Sequence, residues 1–327
     1  MMSFEWIIGK GPSEEALVRL QINFPRPLHP MGEAWFNSDS RKYFDELIEK
    51  ELDDISASDI NHYLFEIASG TSSFGHSNEW THWFLYLLPR LIRRCMNSIK
   101  NAEVFQNLVT TFVCLNPDEI EAQYESFRDD VIATLPHCLM ANDRWSDWVD
   151  RSSGKSDKRP SFLETSLGVH WSPGNAHEDL SAAMFFCLKY LFPDEIKTWV
   201  TSLLTIRDPY WRAAIIVWLS GVFDLLKSEE VTWKMIEESS PKIVWSNSYL
   251  IKSRWTAAKE KQLRKLGYYS EENLLPLENR STFLTELKKI LTAEAYLEWV
   301  ESLASEPKIE QLVKYYWESF FDKLVSD

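Results

Sequence analysis

The chain has 327 residues, 45% of them hydrophobic, with a formal charge of -14, 15 Trp and only 10 Gly. That apolar content supports a sizeable core and argues against disorder, and no run approaches the ~18 apolar residues of a membrane span. A negative field of this size repels nucleic acid and anionic membrane and attracts basic proteins.

The charge is uneven. Residues 1–150 carry 24 acidic and 12 basic side chains, and residues 151–327 carry 25 and 23. Three parts are therefore expected: an acidic helical subdomain at 1–150, a long loop or linker at 151–175, and a helical-repeat subdomain at 176–327. Residues 1–10 contain Glu5 and no basic run before an apolar stretch, so no secretory leader is expected. Cys95, Cys114, Cys138 and Cys187 form no Cys-x-x-Cys pair. They read as buried free thiols in a reducing compartment, which points to the cytoplasm.

Acids crowd Asp45, Glu46, Glu49, Glu51, Asp53, Asp54 and Asp59, with Lys50 opposing them. Next, Gly70-Thr71-Ser72-Ser73-Phe74-Gly75-His76-Ser77 precedes a helix start at Ser77-Asn78-Glu79. A loop with glycines and hydroxyls at a helix N-terminus is a candidate contact for an anion or a partner, through Thr71, Ser73 and His76. His76, Glu79 and His82 stand at i, i+3 and i+6, which is not a zinc spacing, and no metal or cofactor is expected.

Helical periodicity is strong from there on. Trp80, Trp83, Phe84, Leu87, Leu88, Leu91 and Ile92 fall on one face, as do Phe105, Leu108, Val109 and Phe112. Asn116-Pro117-Asp118-Glu119 has the form of a capped helix start. It leads to a predicted apolar face of Ile120, Tyr124, Phe127 and Val131. The polar face of that helix would carry Asp118, Glu119, Glu121, Glu125, Asp129 and Asp130. These six acids are the candidate binding surface.

Asn142 to Asp150 superficially resembles the second metal motif of terpene cyclases, but no aspartate-rich first motif stands upstream. Residues 151–175 hold Ser-, Gly- and Pro-rich sequence, and His170 and His177 border its end. A loop-borne acid–base pair is one expectation for them.

Leu115-Asn116-Pro117-Asp118-Glu119-Ile120 is echoed 76 residues later by Leu191-Phe192-Pro193-Asp194-Glu195-Ile196. Trp199-Val200-Thr201-Ser202-Leu203 is echoed by Trp299-Val300-Glu301-Ser302-Leu303. Such spacings suggest stacked helix pairs. Ile196 to Leu204 and Trp211 to Leu226 are further amphipathic stripes. Leu203-Leu204, the Asp208-Pro209 turn and Arg212-Ala213-Ala214, running on to Val222, resemble a HEAT repeat. The resemblance covers about residues 203–226 and implies an α-solenoid that binds partners on a concave surface. Lys252, Arg254, Lys259, Lys261, Arg264 and Lys265 form a basic pole near Trp255, Tyr268 and Tyr269. Ile309 to Leu324 closes the chain with an amphipathic helix.

The expected fold is all-α, an irregular α-solenoid of antiparallel, HEAT-like helix pairs, with about 14 helices by periodicity. The expected function is non-enzymatic binding of a basic protein through the acidic surface, in the form of an immunity-type inhibitor of a toxin. One alternative is an enzyme with an aromatic pocket between helices, using the His76/Glu79 loop. A second is a HEAT-like nucleic-acid-binding protein or glycosylase, which the net charge opposes. No nucleic acid and no membrane are expected as partners.

Overall fold

The computed structural model describes residues 4–31, 40–74, 76–96, 102–141, 176–254, 273–304 and 307–325. Among these residues there are thirteen α-helices and no strand, so the chain is all-α. None of the helices is long and apolar enough to cross a membrane. Ten tryptophans are described; nine are buried and Trp80 is half-buried. The four cysteines are free and buried. The chain divides into two compact units, one of which joins residues 11–141 to 246–254. The other joins residues 4–10, 176–245 and 273–325.

In the first unit α1 (Glu14–Asn23) begins at Ser13, whose Oγ accepts from Ala16 N at 3.3 Å. This satisfies one of the N–H groups that a helix start leaves without a partner. After α2 (Ser40–Glu49), α3 (Ala57–Phe74) packs chiefly on α5 (Ala102–Leu115), and α4 (Asn78–Met96) packs on α5 and α1. Their apolar stripes supply the core: Tyr63, Leu64 and Ile67; Phe105, Leu108 and Phe112; Trp83, Phe84, Leu87 and Leu88. Each such side chain contributes about 1.5–3 kcal/mol by leaving water. The 3-10 segment Ser248–Arg254 lies against α3 and α5. Polar groups fix its approach. Asn247 Nδ2 donates to Asn107 Oδ1 at 2.8 Å, Asn107 Nδ2 to Asn61 Oδ1 at 2.9 Å, and Ser72 Oγ to Leu250 O at 2.7 Å.

One sequence expectation is corrected here. The helix predicted over Pro117–Val131 is absent; residues 116–126 are bends, turns and irregular chain, and α6 spans only Phe127–Ile132. Asn116 is the reason. Its Nδ2 donates to Phe112 O and its Oδ1 accepts from Glu121 N at 3.2 Å, so its amide closes α5 instead of opening a new helix.

The second unit holds α7 (Glu178–Tyr190), α8 (Pro193–Leu204), α9 (Pro209–Lys227), α10 (Trp233–Glu238), α11 (Leu277–Ile290), α12 (Ala293–Ala304) and α13 (Pro307–Val325). The Pro-Asp-Glu sequence that fails to start a helix at Pro117 does start α8, where the Glu195 carboxylate accepts from Phe192 N at 2.7 Å. Phe192 has no side-chain amide to divert the chain. The first echo is therefore one of sequence and not of structure. Asp208 caps α9 through Trp211 N, as expected of the Asp-Pro turn. The helices on either side of that turn find their principal partners elsewhere: α8 packs on α11, and α9 on α13, α12 and α11.

The second echo is structural. In α8 and in α12 a serine hydroxyl donates to the carbonyl of the Trp three residues before it, Ser202 to Trp199 at 2.8 Å and Ser302 to Trp299 at 2.7 Å. Each Ser Oγ also accepts from a residue that covers the same Trp. Trp6 N donates to Ser202 Oγ at 2.8 Å while the Trp6 ring meets Trp199 edge-on at 5.5 Å. Arg212 Nη1 donates to Ser302 Oγ at 2.9 Å while its guanidinium lies 5.0 Å from the Trp299 ring centre. Arg212, which the HEAT resemblance places at the opening of a repeat's second helix, is thus a packing residue here.

Candidate functional site

The first unit contains a cleft of about 470 Å³ between the start of α4, the end of α5 and the segment that follows it. Its apolar side is Phe84 and Leu85 of α4, Leu115 of α5 and Phe127 of α6. These are buried because they belong to the helical stripes of the core. Its polar side is His76, Asn78, Thr81 and His82 on one wall and Asn116, Glu121 and Gln123 on the other.

Local bonds position both walls. The Ser77 carbonyl accepts from Thr81 N at 3.1 Å and from Thr81 Oγ1 at 3.2 Å, which winds the first turn of α4. Across the cleft, the bond from Glu121 N to Asn116 Oδ1 ties Glu121 to the end of α5. Farther along, Asp130 anchors the segment. Its carboxylate is buried and accepts from Arg19 Nη2 at 2.6 Å, Arg19 Nε at 3.1 Å, Tyr124 Oη at 2.7 Å and Ser126 Oγ at 3.3 Å. Burial, and then the hydrogen bond to Asp130 and the charge it carries, hold the Tyr124 phenol protonated well above the ordinary tyrosine range. Phe24 packs on both Tyr124 and Phe127.

The structure separates the candidate residues. Asp118, Glu119, Glu121, Glu125 and Asp129 are exposed, but on a turn-rich segment and the short α6, not on one helical face. Asp130 is 1% exposed and serves as the internal anchor, so it leaves the acidic surface. Thr71 is not in a loop: residues 70–74 are the last turn of α3, Thr71 is buried, and its hydroxyl donates to Ile67 O at 2.7 Å. Ser73 is exposed on that turn, and Gly75 lies outside the described residues. His76 is exposed and shares the cleft with Glu121, so two candidate stretches distant in sequence meet there. Glu79 is exposed and does not line it.

Among the described residues no group of three His, Cys, Asp or Glu is placed to hold a metal. His177 is a helix cap, its Nδ1 accepting from Leu180 N at 3.3 Å. His170, the Asn142–Asp150 motif and the loop 151–175 lie outside the described residues, and so does most of the basic pole. In the acid-rich stretch 45–59 three acids have local partners: Glu46 with Lys50 at 2.6 Å, Glu51 with Arg26 at 3.4 Å, and Asp59 with Ser56 Oγ at 2.6 Å.

The second unit has a larger groove, about 690 Å³, along Glu5–Ile8 and α8. Two of its cations are already neutralised, Lys197 by Asp194 at 2.7 Å and Lys289 by Glu286 at 3.2 Å. The smaller cleft carries the stronger chemical signal. Gln123 is not singled out by the sequence, and Asn116 reads there only as a helix start, although an Asn that ends an apolar stripe before a Pro is a known helix-end signal. Comparison with family models, curated proteins and solved structures finds no match to this chain.

Proposed function

We propose that this chain is a non-enzymatic binding protein that engages a basic protein through the acidic segment 118–129 and the cleft beside it. One observation carries the reading. Asp118, Glu119, Glu121 and Glu125 are exposed and make no ion pair among the described residues, and they stand together on one short segment. Unpaired like charges repel one another, so a basic partner relieves a cost that the free protein bears. The segment is also fixed at both ends, through Asn116 and Asp130, which lowers the ordering entropy that binding must overcome.

In its most concrete form the partner is a basic toxin such as a nuclease, and the protein is a cytoplasmic immunity-type inhibitor on a scaffold of stacked, HEAT-like helix pairs. A nuclease site is positive because its substrate is negative, so an acidic face suits it. The test is affinity capture from host lysate with wild type and with a Glu121→Lys/Glu125→Lys/Asp129→Lys variant. The proposal expects one basic protein, captured in near-equal amount by wild type and lost with the variant. Equal capture by both would sink the assignment.

A second reading rests on the two imidazoles and one carboxylate that line the cleft above an apolar floor. Such groups suit acid–base chemistry on a small molecule. A ligand that copurifies with wild type and is lost with His76→Ala would favour it.

A further inference from the structure

We infer that the cleft is the seat for one arginine side chain of the basic partner, and that protonation of His76 and His82 expels it. The inference rests on the acidic segment being a binding face and names what the cleft itself recognises.

Three features of the cleft select the occupant. First, its floor is apolar and buried, formed by Phe84, Leu85, Leu115 and Phe127, and suits the methylene stem of a long side chain. Second, among the described residues the one formal charge that lines it is the Glu121 carboxylate, and no Lys or Arg does so. Around it the exposed charges of the same segment, Asp118, Glu119 and Glu125, are negative too. Third, apart from the Thr81 hydroxyl, which donates to Ser77 O, the remaining polar rim consists of planar amides and imidazoles. A guanidinium is planar, always charged, donates through a fork that matches a carboxylate and stacks on rings; an ammonium has none of this shape. Lysine is the weaker occupant for that reason.

The imidazoles add a switch. Histidine changes charge between about pH 5 and 8, where carboxylates stay ionised. The titratable groups that line the cleft are His76 and His82 from the start of α4 and Glu121 from the opposite wall. The other elements around it present Leu115 from the end of α5, Asn116 and Gln123 from the segment after it and Phe127 from α6, none of which titrates. With both imidazoles neutral, the lining carries the one negative charge of Glu121. Two imidazolium charges reverse its sign and oppose a guanidinium.

The experiment is calorimetric titration of the full chain with a tetra-arginine peptide, with tetra-lysine and tetra-glutamate as comparisons, at pH 7.5 and 5.5. Tetra-arginine should bind most tightly at pH 7.5 and lose about tenfold or more at pH 5.5. Glu121→Gln should weaken it by roughly tenfold at pH 7.5. A His76→Asn/His82→Asn variant should keep the pH 7.5 affinity at pH 5.5. Equal binding of tetra-lysine, no effect of Glu121→Gln, or the same pH loss in the double variant would each overturn the inference. A variant with Asp118→Asn, Glu119→Gln and Glu125→Gln separates the two levels. If it abolishes binding while Glu121→Gln does not, the acidic face stands and the arginine seat falls. If no variant alters binding, both fall.

Discussion

The Tyr124 hydroxyl donates a 2.7 Å hydrogen bond to the Asp130 carboxylate, and the Arg19 guanidinium grips the same carboxylate from α1. An acid that the sequence places on a solvent-facing stripe is thereby the peg that holds the acidic segment to the helices beneath it. Asp130→Asn keeps the shape and removes the charge. It should destabilise the first unit by about 2–3 kcal/mol, the usual cost of losing charge-assisted bonds in a buried setting. Amide exchange in residues 118–126 should rise with it. Urea denaturation and hydrogen exchange check both effects, and unchanged exchange would remove Asp130 from its role as anchor.

Alkaline pH should weaken the fold at two tyrosines. Burial pushes Tyr296 upward, as it does Tyr124, and the Tyr296 hydroxyl donates to Trp317 O at 2.8 Å. A phenol raised in the folded state contributes stability that is intact below the ordinary tyrosine value of about 10 and is lost as pH climbs past it. Chemical denaturation at stepwise pH above about 9 should show a decline beginning near 10. Tyr296→Phe should flatten that decline, and a profile identical to wild type would contradict the assignment.

Arg280 is fully buried and has no carboxylate among its hydrogen-bond acceptors. Its guanidinium donates to the carbonyls of Leu226, Ser228 and Glu229 at the end of α9 and to Leu275 O. Burial lowers its pKa, yet an arginine stays charged across the working range. Arg280→Met leaves those carbonyls without a donor and should cost about 3 kcal/mol or more. Thermal unfolding of the variant reads this directly; a melting point within a degree or so of wild type would contradict it.

At Gly221 a Cβ would stand 2.4 Å from Pro241 O and 2.9 Å from Ile243 Cγ2. The nearer atom is backbone and cannot swing aside. Gly221→Ala should therefore destabilise by about 1–3 kcal/mol in spite of its better helix propensity. A stabilised variant would mean that the Pro241 segment yields easily.

Ser202→Ala should loosen residues 4–10. It removes the acceptor of the Trp6 N–H while leaving the ring contact with Trp199. Exchange at the Trp6 amide should rise about tenfold, in line with one lost hydrogen bond. The paired change Ser302→Ala should disturb Arg212 and leave Trp6 protected.

Much of the helical frame was legible because its signals are local. The stripes at Trp80–Ile92, Phe105–Phe112, Ile196–Leu204 and Trp211–Leu226 became α4, α5, α8 and α9, and Asp208 capped α9 as its sequence requires. The site was less legible because it depends on partners distant in sequence. Pro-Asp-Glu starts a helix at Pro193 and not at Pro117, and the difference lies in the Asn116 amide, not in the shared residues. Nothing around Asp130 announces Arg19, which arrives from 111 residues away. Thr71 reads as loop from its glycine and hydroxyl neighbours, yet α3 carries through it, and its hydroxyl turns back onto Ile67 O.

The central claim is that residues 118–129 form the contact face for a basic partner. Carbodiimide footprinting of the free protein and of its complex with the captured partner tests it most directly. The account predicts that Asp118, Glu119, Glu121 and Glu125 lose labelling in the complex while Glu46 and Glu51 do not. Undiminished labelling of all four, in a complex that remains assembled, would contradict it.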